Sequence, residues 1–510
     1  MTFYLTTAID YVNSRPHLGT AYEKILADVI ARYHRLLGES THFVMGNDEH
    51  SLNVFRRAQE LGIEPLAYCD RMEQEFKDVW ASLDVSFDDF IRTTEPRHEA
   101  AVTALIERIR DAGDVYEGHY EGWYCVSCEA FKQEKDLVEG MCPIHRVQPT
   151  WIKERNHFFR LSNYQVPLRE HFDSHPEFLE PDVRRNEILN VLDGGLEDIS
   201  ISRAGQTWGI PLRFDPNSVV YVWFDALINY IAAAGFPNDP DRFQRLWPAD
   251  LHVIGKDITR FHSIIWPAML LSAGLELPRK VFGHGFVQFR GERMSKSLGT
   301  IVDPLDARAR FGADPLRLFL VREIPFGQDG DFSWERFEDR YNADLANNLG
   351  NLVSRVTTMA IRYLSGRLDS HSGASERLEG IATTVVQRYR VAMDNLRPTD
   401  ATTAVFDLVD ATNEFITRCE PWVLSRDPAQ RKRLESVLFD CGEAVRIAAV
   451  LLLPVMPSSA GLILQRFGQP GGPESYRLDR DCSWKARGDL VATGGDPLWP
   501  RIGGTTGSNP

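Results

Sequence analysis

The stretch from Phe3 to Leu37 restricts the fold more than any other, because it passes from an apolar, β-branched run through a polar loop into a helical pattern. The loop holds Asn13, Ser14, Arg15 and Pro16, and after it Tyr22, Ile25, Leu26, Val29, Ile30, Tyr33, Leu36 and Leu37 recur at helical spacing. The order reads strand, loop, helix. In open α/β sheets ligands gather outside the carboxyl ends of strands, where the next helix offers free N–H groups and its positive dipole end to an anion. His17, Leu18 and Gly19 fall at that junction. An imidazole there can reach a phosphate and a glycine lets a flat ring approach, although a plain connection reads the same way at this level.

A second buried strand, Thr41 to His50, ends in Gly46, Asn47, Asp48, Glu49 and His50. Polar residues bunched there suit either a site at the sheet's edge or a turn with a helix cap. From Val115 to about Arg213 short strand-like pieces and turns replace the alternation, which reads as an insertion. Strand-helix alternation returns with a strand ending at Trp223 and another beginning near Leu251, and beyond Asp314 the chain is mainly helical, as in a separate bundle. The expected divisions are 1–114, 115–213, 214–290, 291–340 and 341–502, with 503–510 a disordered polar tail. A length of 510 residues suits about three domains of ~150 residues each.

No run of eighteen apolar residues occurs and the first residues lack a basic, then apolar, leader, so a soluble, cytoplasmic protein without membrane contact is expected. A net charge of -15 argues against a general polyanion binder, though a local basic surface could still hold nucleic acid. Cys69, Cys419, Cys441 and Cys482 stand alone, as reduced thiols do. The other three cluster. Cys125-x2-Cys128 and Cys142-x2-His145, with thirteen residues between, form two knuckles that together give three thiolates and one imidazole, a tetrahedral set suited to a structural Zn²⁺. A redox pair at Cys125 and Cys128, or a metal-free remnant loop, are the other readings.

The loop Gly291 to Gly299 brings Arg293, Ser295, Lys296 and Ser297 between flanking glycines. It can close over a polyphosphate, the cations neutralising charge on the leaving group, or it can be solvated surface. Pro16-His17-Leu18-Gly19 and Arg293-Met294-Ser295-Lys296-Ser297 together resemble the paired HIGH and KMSKS signatures of class I aminoacyl-tRNA synthetases. Tyr221 to Ala226 and Gly255-Lys256-Asp257-Ile258 with Phe261-His262 are similar to the methionyl-tRNA synthetases in particular, and the likeness runs from Thr6 to about Trp499.

The resemblance implies an α/β fold: a Rossmann-like parallel-sheet catalytic domain with an inserted zinc-knuckle connective domain, followed by an all-α anticodon-binding helix bundle. It implies a methionine pocket at Ile9, Tyr11, Asp48, Trp223, Ala226, Leu227, Tyr230, Ile258 and His262. Asp48 can pair the substrate ammonium while aromatic and aliphatic groups surround the thioether. Without the family context, Trp223 and Tyr230 read equally well as ordinary core. ATP, with its Mg²⁺, would meet Pro16, His17, Gly19, Arg293, Ser295, Lys296 and Ser297, with His17, Gly19 and Lys296 in the catalytic roles. Asn347, Asn351 and Arg355, four apart on one helical face, and Trp422 after Pro421 match the residues that read the anticodon of tRNA(Met), the initiator included. Thr20 replaces the final histidine of HIGH and Arg293 the first lysine of KMSKS. No further domain follows the bundle, so the resemblance points to a monomer. The rivals are a class I synthetase for a branched aliphatic amino acid, for which the insertion leaves little room for an editing domain, and a catalytically silent tRNA-binding protein.

Overall fold

Seven strands in the first part of the chain hydrogen-bond into one parallel sheet: β1 (Phe3–Thr7), β2 (Asp10–Tyr11), β3 (Thr41–Asp48), β4 (Asp89–Arg92), β5 (Leu179–Glu180), β6 (Leu251–Gly255) and β7 (Val281–His284). They run in the order β2-β3-β1-β6-β7-β5, with β4 also beside β3. β1 pairs β3 on one side (Leu5 with Phe43) and β6 on the other (Leu5 with Leu251), so the winding reverses at β1. A ligand crevice lies outside such a switch point, at the carboxyl ends of the strands. Buried runs such as Phe43, Val44 and Met45 in β3 and all of β6 are what a parallel sheet covered on both faces requires. Tyr4, Val44, Ile254, Trp266 and Met269 belong to the core beneath it.

The computed structural model describes residues 2–126, 129–134, 137–143, 146–294, 300–371 and 376–503. Two units divide them: one comprises 2–16, 41–81 and 86–284, the other 17–40, 82–85 and the chain from 285. Within the first, the strands Val115–Cys125 and Thr150–Phe159 pair antiparallel from Val115 with Phe159 to Tyr124 with Thr150. Flanked by Ala130–Lys132 and Ile199–Ser200, they make a separate four-stranded sheet. β5, from the same stretch of sequence, joins the parallel sheet instead, at its edge beside β7.

The second unit holds helix α1 (Leu18–Leu37), a small sheet of Val287–Phe289, Glu292–Arg293 and Gly330–Phe332, and the long helices Gly350–Leu364, Glu376–Asp394, Pro398–Cys419 and Arg431–Leu452. Among the described residues no helix is long and apolar enough to cross a membrane. Residues 504–510, expected as a disordered tail, lie outside those described.

The strand-loop-helix read from Phe3 to Leu37 is thus divided between Pro16 and His17. The reason is where α1 finds its partners. Leu18 N donates to Val302 O at 2.9 Å, the Tyr22 hydroxyl to Ile324 O at 3.2 Å and the Tyr33 hydroxyl to Asp394 Oδ1 at 2.5 Å. Asp28, wholly buried, is paired with the equally buried Arg317 at 2.6 Å. That guanidinium also donates to the carbonyls of Val455 (2.8 Å), Pro454 (3.0 Å) and Leu83 (3.1 Å), which satisfies a charge that burial would otherwise make costly. Arg317→Ala would leave Asp28 short of its buried counter-charge. The expected loss is about 3–5 kcal/mol of stability, read as a lower urea midpoint; an unchanged midpoint would show that the knot holds nothing together.

Candidate active site

Three strand ends supply the pocket expected from the sequence. Ile9 and Tyr11 follow β1, Asp48 closes β3, and Ile258 and His262 follow β6. The short strand β2 sets Tyr11 directly beside Asp48 in the ladder. The helix Val222–Leu227 adds Trp223, Ala226 and Leu227, and the helix Asn229–Ala234 adds Tyr230. Tyr11 meets the Trp223 ring edge-on, with centroids 5.7 Å apart, and Trp223 stacks on Phe261 at 4.2 Å. Leu227 is 3 % exposed and packs into the core.

The polar ends of this pocket differ in character. Tyr230 Oη lies 2.7 Å from His262 Nε2, and His262 Nδ1 lies 3.0 Å from Ile258 O. A carbonyl only accepts, so His262 carries its proton on Nδ1 and its Nε2 accepts from the tyrosine. Behind them His252 packs its ring 4.4 Å from Tyr230 and shares a 2.6 Å hydrogen bond with Thr6, and burial keeps it neutral. At the other end Asp48 is buried, and its Oδ1 has no hydrogen-bond partner among the described residues, nor has the Tyr11 hydroxyl. Burial pushes the Asp48 carboxyl well above the usual range, and the charges of Asp225, Glu129 and Glu49 push it further. A buried, unsatisfied carboxylate beside aromatic walls is suited to a ligand that brings a cation.

His17 caps α1. Its Nδ1 accepts from Gly19 N at 3.0 Å and from Thr20 N at 3.3 Å, so the neutral ring carries its proton on Nε2 as a donor for an acceptor such as a phosphate. A Cβ on Gly19 would come within 2.9 Å of the His17 ring, which is why glycine suits that place. Ser295, Lys296, Ser297 and the Arg293 side chain lie outside the described residues.

In the insertion Cys125 and Cys142 are fully buried, while Cys128 and His145 lie outside the described residues. Among the described residues no group of three or more His, Cys, Asp or Glu side chains is arranged to hold a metal. Glu129 (φ 49°) and Arg146 (φ 53°), each one place past the second expected ligand, are both left-handed, and each returns an N–H to the turn before it, to Val126 O at 3.3 Å and Cys142 O at 2.8 Å. Of the four expected ligands, the described residues include Cys125 and Cys142.

In the second unit Asn347, on a π-helical stretch (Tyr341–Leu349), and Asn351, on the helix that continues from it, are exposed. Arg355 is half-buried, its Nη1 3.4 Å from Asn413 Oδ1, and Trp422 is half-buried on the short helix Pro421–Leu424. Sequence reading left Phe261, His252 and Asp225 out of the pocket; Asp225, an acid inside an apolar helical run, was the one with a visible signal.

The family model described as tRNA synthetases class I (M) matches residues 3–149 and 133–357. The chain is 43 % identical to the methionine–tRNA ligase of Thermotoga maritima, with 98 % of this chain and 80 % of that one covered. It is 40 % identical to that of Streptomyces coelicolor, covering 98 % and 96 %. A solved structure titled Mycobacterium tuberculosis methionyl-tRNA synthetase in complex with methionyl-adenylate superposes with a TM-score of 0.93 at 41 % identity, over 98 % of this chain and 100 % of that one. Its apo form gives 0.86 at 39 %. The family model covers more than half of the chain, which is therefore a class I aminoacyl-tRNA synthetase. Within that class, the chain belongs to the methionine–tRNA ligase family.

Asp48→Asn should raise the KM for methionine on the order of a hundredfold, because the ammonium loses its buried counter-charge. The sign of the pH effect follows from the raised carboxyl. Lowering the pH protonates Asp48 and raises the methionine KM, with little effect on the KM for ATP. A methionine KM that falls on acidification would remove Asp48 from this role.

Proposed function

We infer that this chain activates L-methionine with ATP and transfers it to the 3′-terminal adenosine of tRNA(Met), initiator and elongator alike. The observation that carries the reading is the buried carboxyl of Asp48, at the end of β3 beside Tyr11; its Oδ1 has no partner among the described residues. Asp48 takes the ammonium. Tyr11, Trp223, Ala226, Leu227 and Ile9 enclose the side chain, and Tyr230, His262 and Ile258 meet the thioether end. The methionine carboxylate then attacks the α-phosphorus of ATP, the bond to the β-phosphate bridge breaks, and pyrophosphate leaves. No side-chain nucleophile is needed, so the protein acts by alignment and by stabilising charge on the phosphates. His17 Nε2, amides near Pro16 and Gly19, and the Arg293, Ser295, Lys296 and Ser297 loop supply that stabilisation, and Mg²⁺ brought with ATP would neutralise phosphate charge. The 2′-hydroxyl of the terminal adenosine next attacks the adenylate carbonyl, releasing AMP.

The same reading gives the insertion (115–213) a structural zinc held by Cys125, Cys128, Cys142 and His145. Residues 291–340 become the phosphate loop and stem-contact region, and Asn347, Asn351, Arg355 and Trp422 the anticodon readers of the helical part (341–502). A cytoplasmic monomer is in keeping with these roles. About one zinc per chain is expected on metal analysis, and undiminished zinc in Cys142→Ser would rule out this ligand set. ATP–pyrophosphate exchange with each of the twenty amino acids tests the whole reading. Methionine alone should support exchange; exchange only with leucine, valine or isoleucine, or none at all, would contradict it. Trp422→Ala should leave exchange intact and reduce tRNA charging at least tenfold, as loss of a stacked base would.

A further inference from the structure

A fully buried carboxylate lies on the helix that carries three residues of the proposed pocket. Asp225 sits in the helix Val222–Leu227, and its two oxygens accept from two imidazoles: Oδ2 from His50 Nδ1 at 2.7 Å and Oδ1 from His98 Nε2 at 2.5 Å. Those residues come from different elements. His50 lies two places beyond Asp48 at the end of β3, and His98 is in the first turn of the helix Pro96–Asp111, which follows β4. Both are buried. His50 is held in turn by Trp208, whose ring lies 5.5 Å away edge-on and whose Nε1 donates to Glu49 O at 2.6 Å. Glu49 is itself bound by Arg92 Nε of β4 at 2.8 Å. Burial alone would raise the Asp225 carboxyl, but the two imidazoles outweigh it and hold it at about 2, so it is a true acceptor for both rings.

The elements tied together here carry the two halves of the amino-acid site. One residue before His50's neighbour Glu49 is the ammonium acceptor, and in the same helical turns as Asp225 are Trp223, Ala226 and Leu227. We infer that Asp225, gripped by His50 and His98, is the positioning residue that sets the aromatic wall of the pocket at its working distance from Asp48. This rests on the reading of the pocket given above. The network does not touch ATP groups, so its loss should show in methionine binding and not in the phosphate chemistry. Asparagine at 225 has one acceptor and one donor, so one imidazole would have to exchange its ring proton; for His98 that would put an N–H on Nδ1, which has no partner among the described residues.

Methionine-dependent ATP–pyrophosphate exchange by the full chain tests this with Asp225→Asn and with the pair His98→Ala and His98→Gln. The glutamine amide can put its N–H where His98 Nε2 stands. Asp225→Asn and His98→Ala should raise the KM for methionine tenfold or more, with kcat changed less than threefold and the KM for ATP less than twofold. His98→Gln should recover most of the loss, and thermal melting of the pair separates a moved wall from an unfolded chain. A methionine KM within twofold of the wild type in His98→Ala, an equal effect on ATP, or no recovery in His98→Gln would overturn the inference. Wild-type protein without methionine-dependent exchange would instead overturn the reading of the pocket on which it stands.

Discussion

A buried carboxylate has to be answered, and the first unit holds two near each other: Asp48 at the end of a parallel strand and Asp225 in a helix. Asp225 is answered internally, by two imidazoles. Asp48 keeps one oxygen with no partner among the described residues. The contrast divides structural from functional carboxylate. A carboxylate bonded on both oxygens fixes three elements in place, whereas one left unsatisfied in a dry, aromatic setting gains more from a substrate cation than it could from water. Each carboxylate also acts on the other: Asp225 is the leading charge that, after burial, disfavours ionisation of Asp48. The ammonium of an amino acid would relieve both penalties at once.

The second unit is organised by a different buried charge. Arg317 reaches carbonyls of two segments and the Asp28 carboxylate, so α1 belongs with the helices of the chain's later part. The helix whose first turn holds His17 is thereby fixed within the same unit as the small sheet that leads into the loop of Arg293. Capping at that first turn is equally specific, since the imidazole folds back over the amide of a residue that has no Cβ to obstruct it.

Periodicity and motif made much of this legible in the sequence. β1, β3 and α1 follow from apolar patterning, and Asp48 stands in a polar cluster after an apolar strand, while Trp223, Tyr230 and His262 were singled out by the family resemblance. Where the reading stopped short, tertiary contacts were the cause. Helical spacing from Tyr22 to Leu37 identifies a buried face but not the unit that buries it, so the break at Pro16 was invisible. Asp225 stands 175 positions from His50 and 127 from His98, and no local pattern links them. β5 is two residues long inside a turn-rich stretch, too short for alternation to register.

The central claim is that an amino-acid ammonium neutralises Asp48 at the switch point of the sheet. Burial favours the protonated form of that carboxyl and a bound ammonium favours the ionised form, so methionine binding should release protons. Calorimetric titration of methionine at pH 7 in two buffers of different ionisation enthalpy measures that release directly. Net proton release that disappears in Asp48→Asn is the predicted result; binding with no proton release, or the same release without Asp48, would contradict the account.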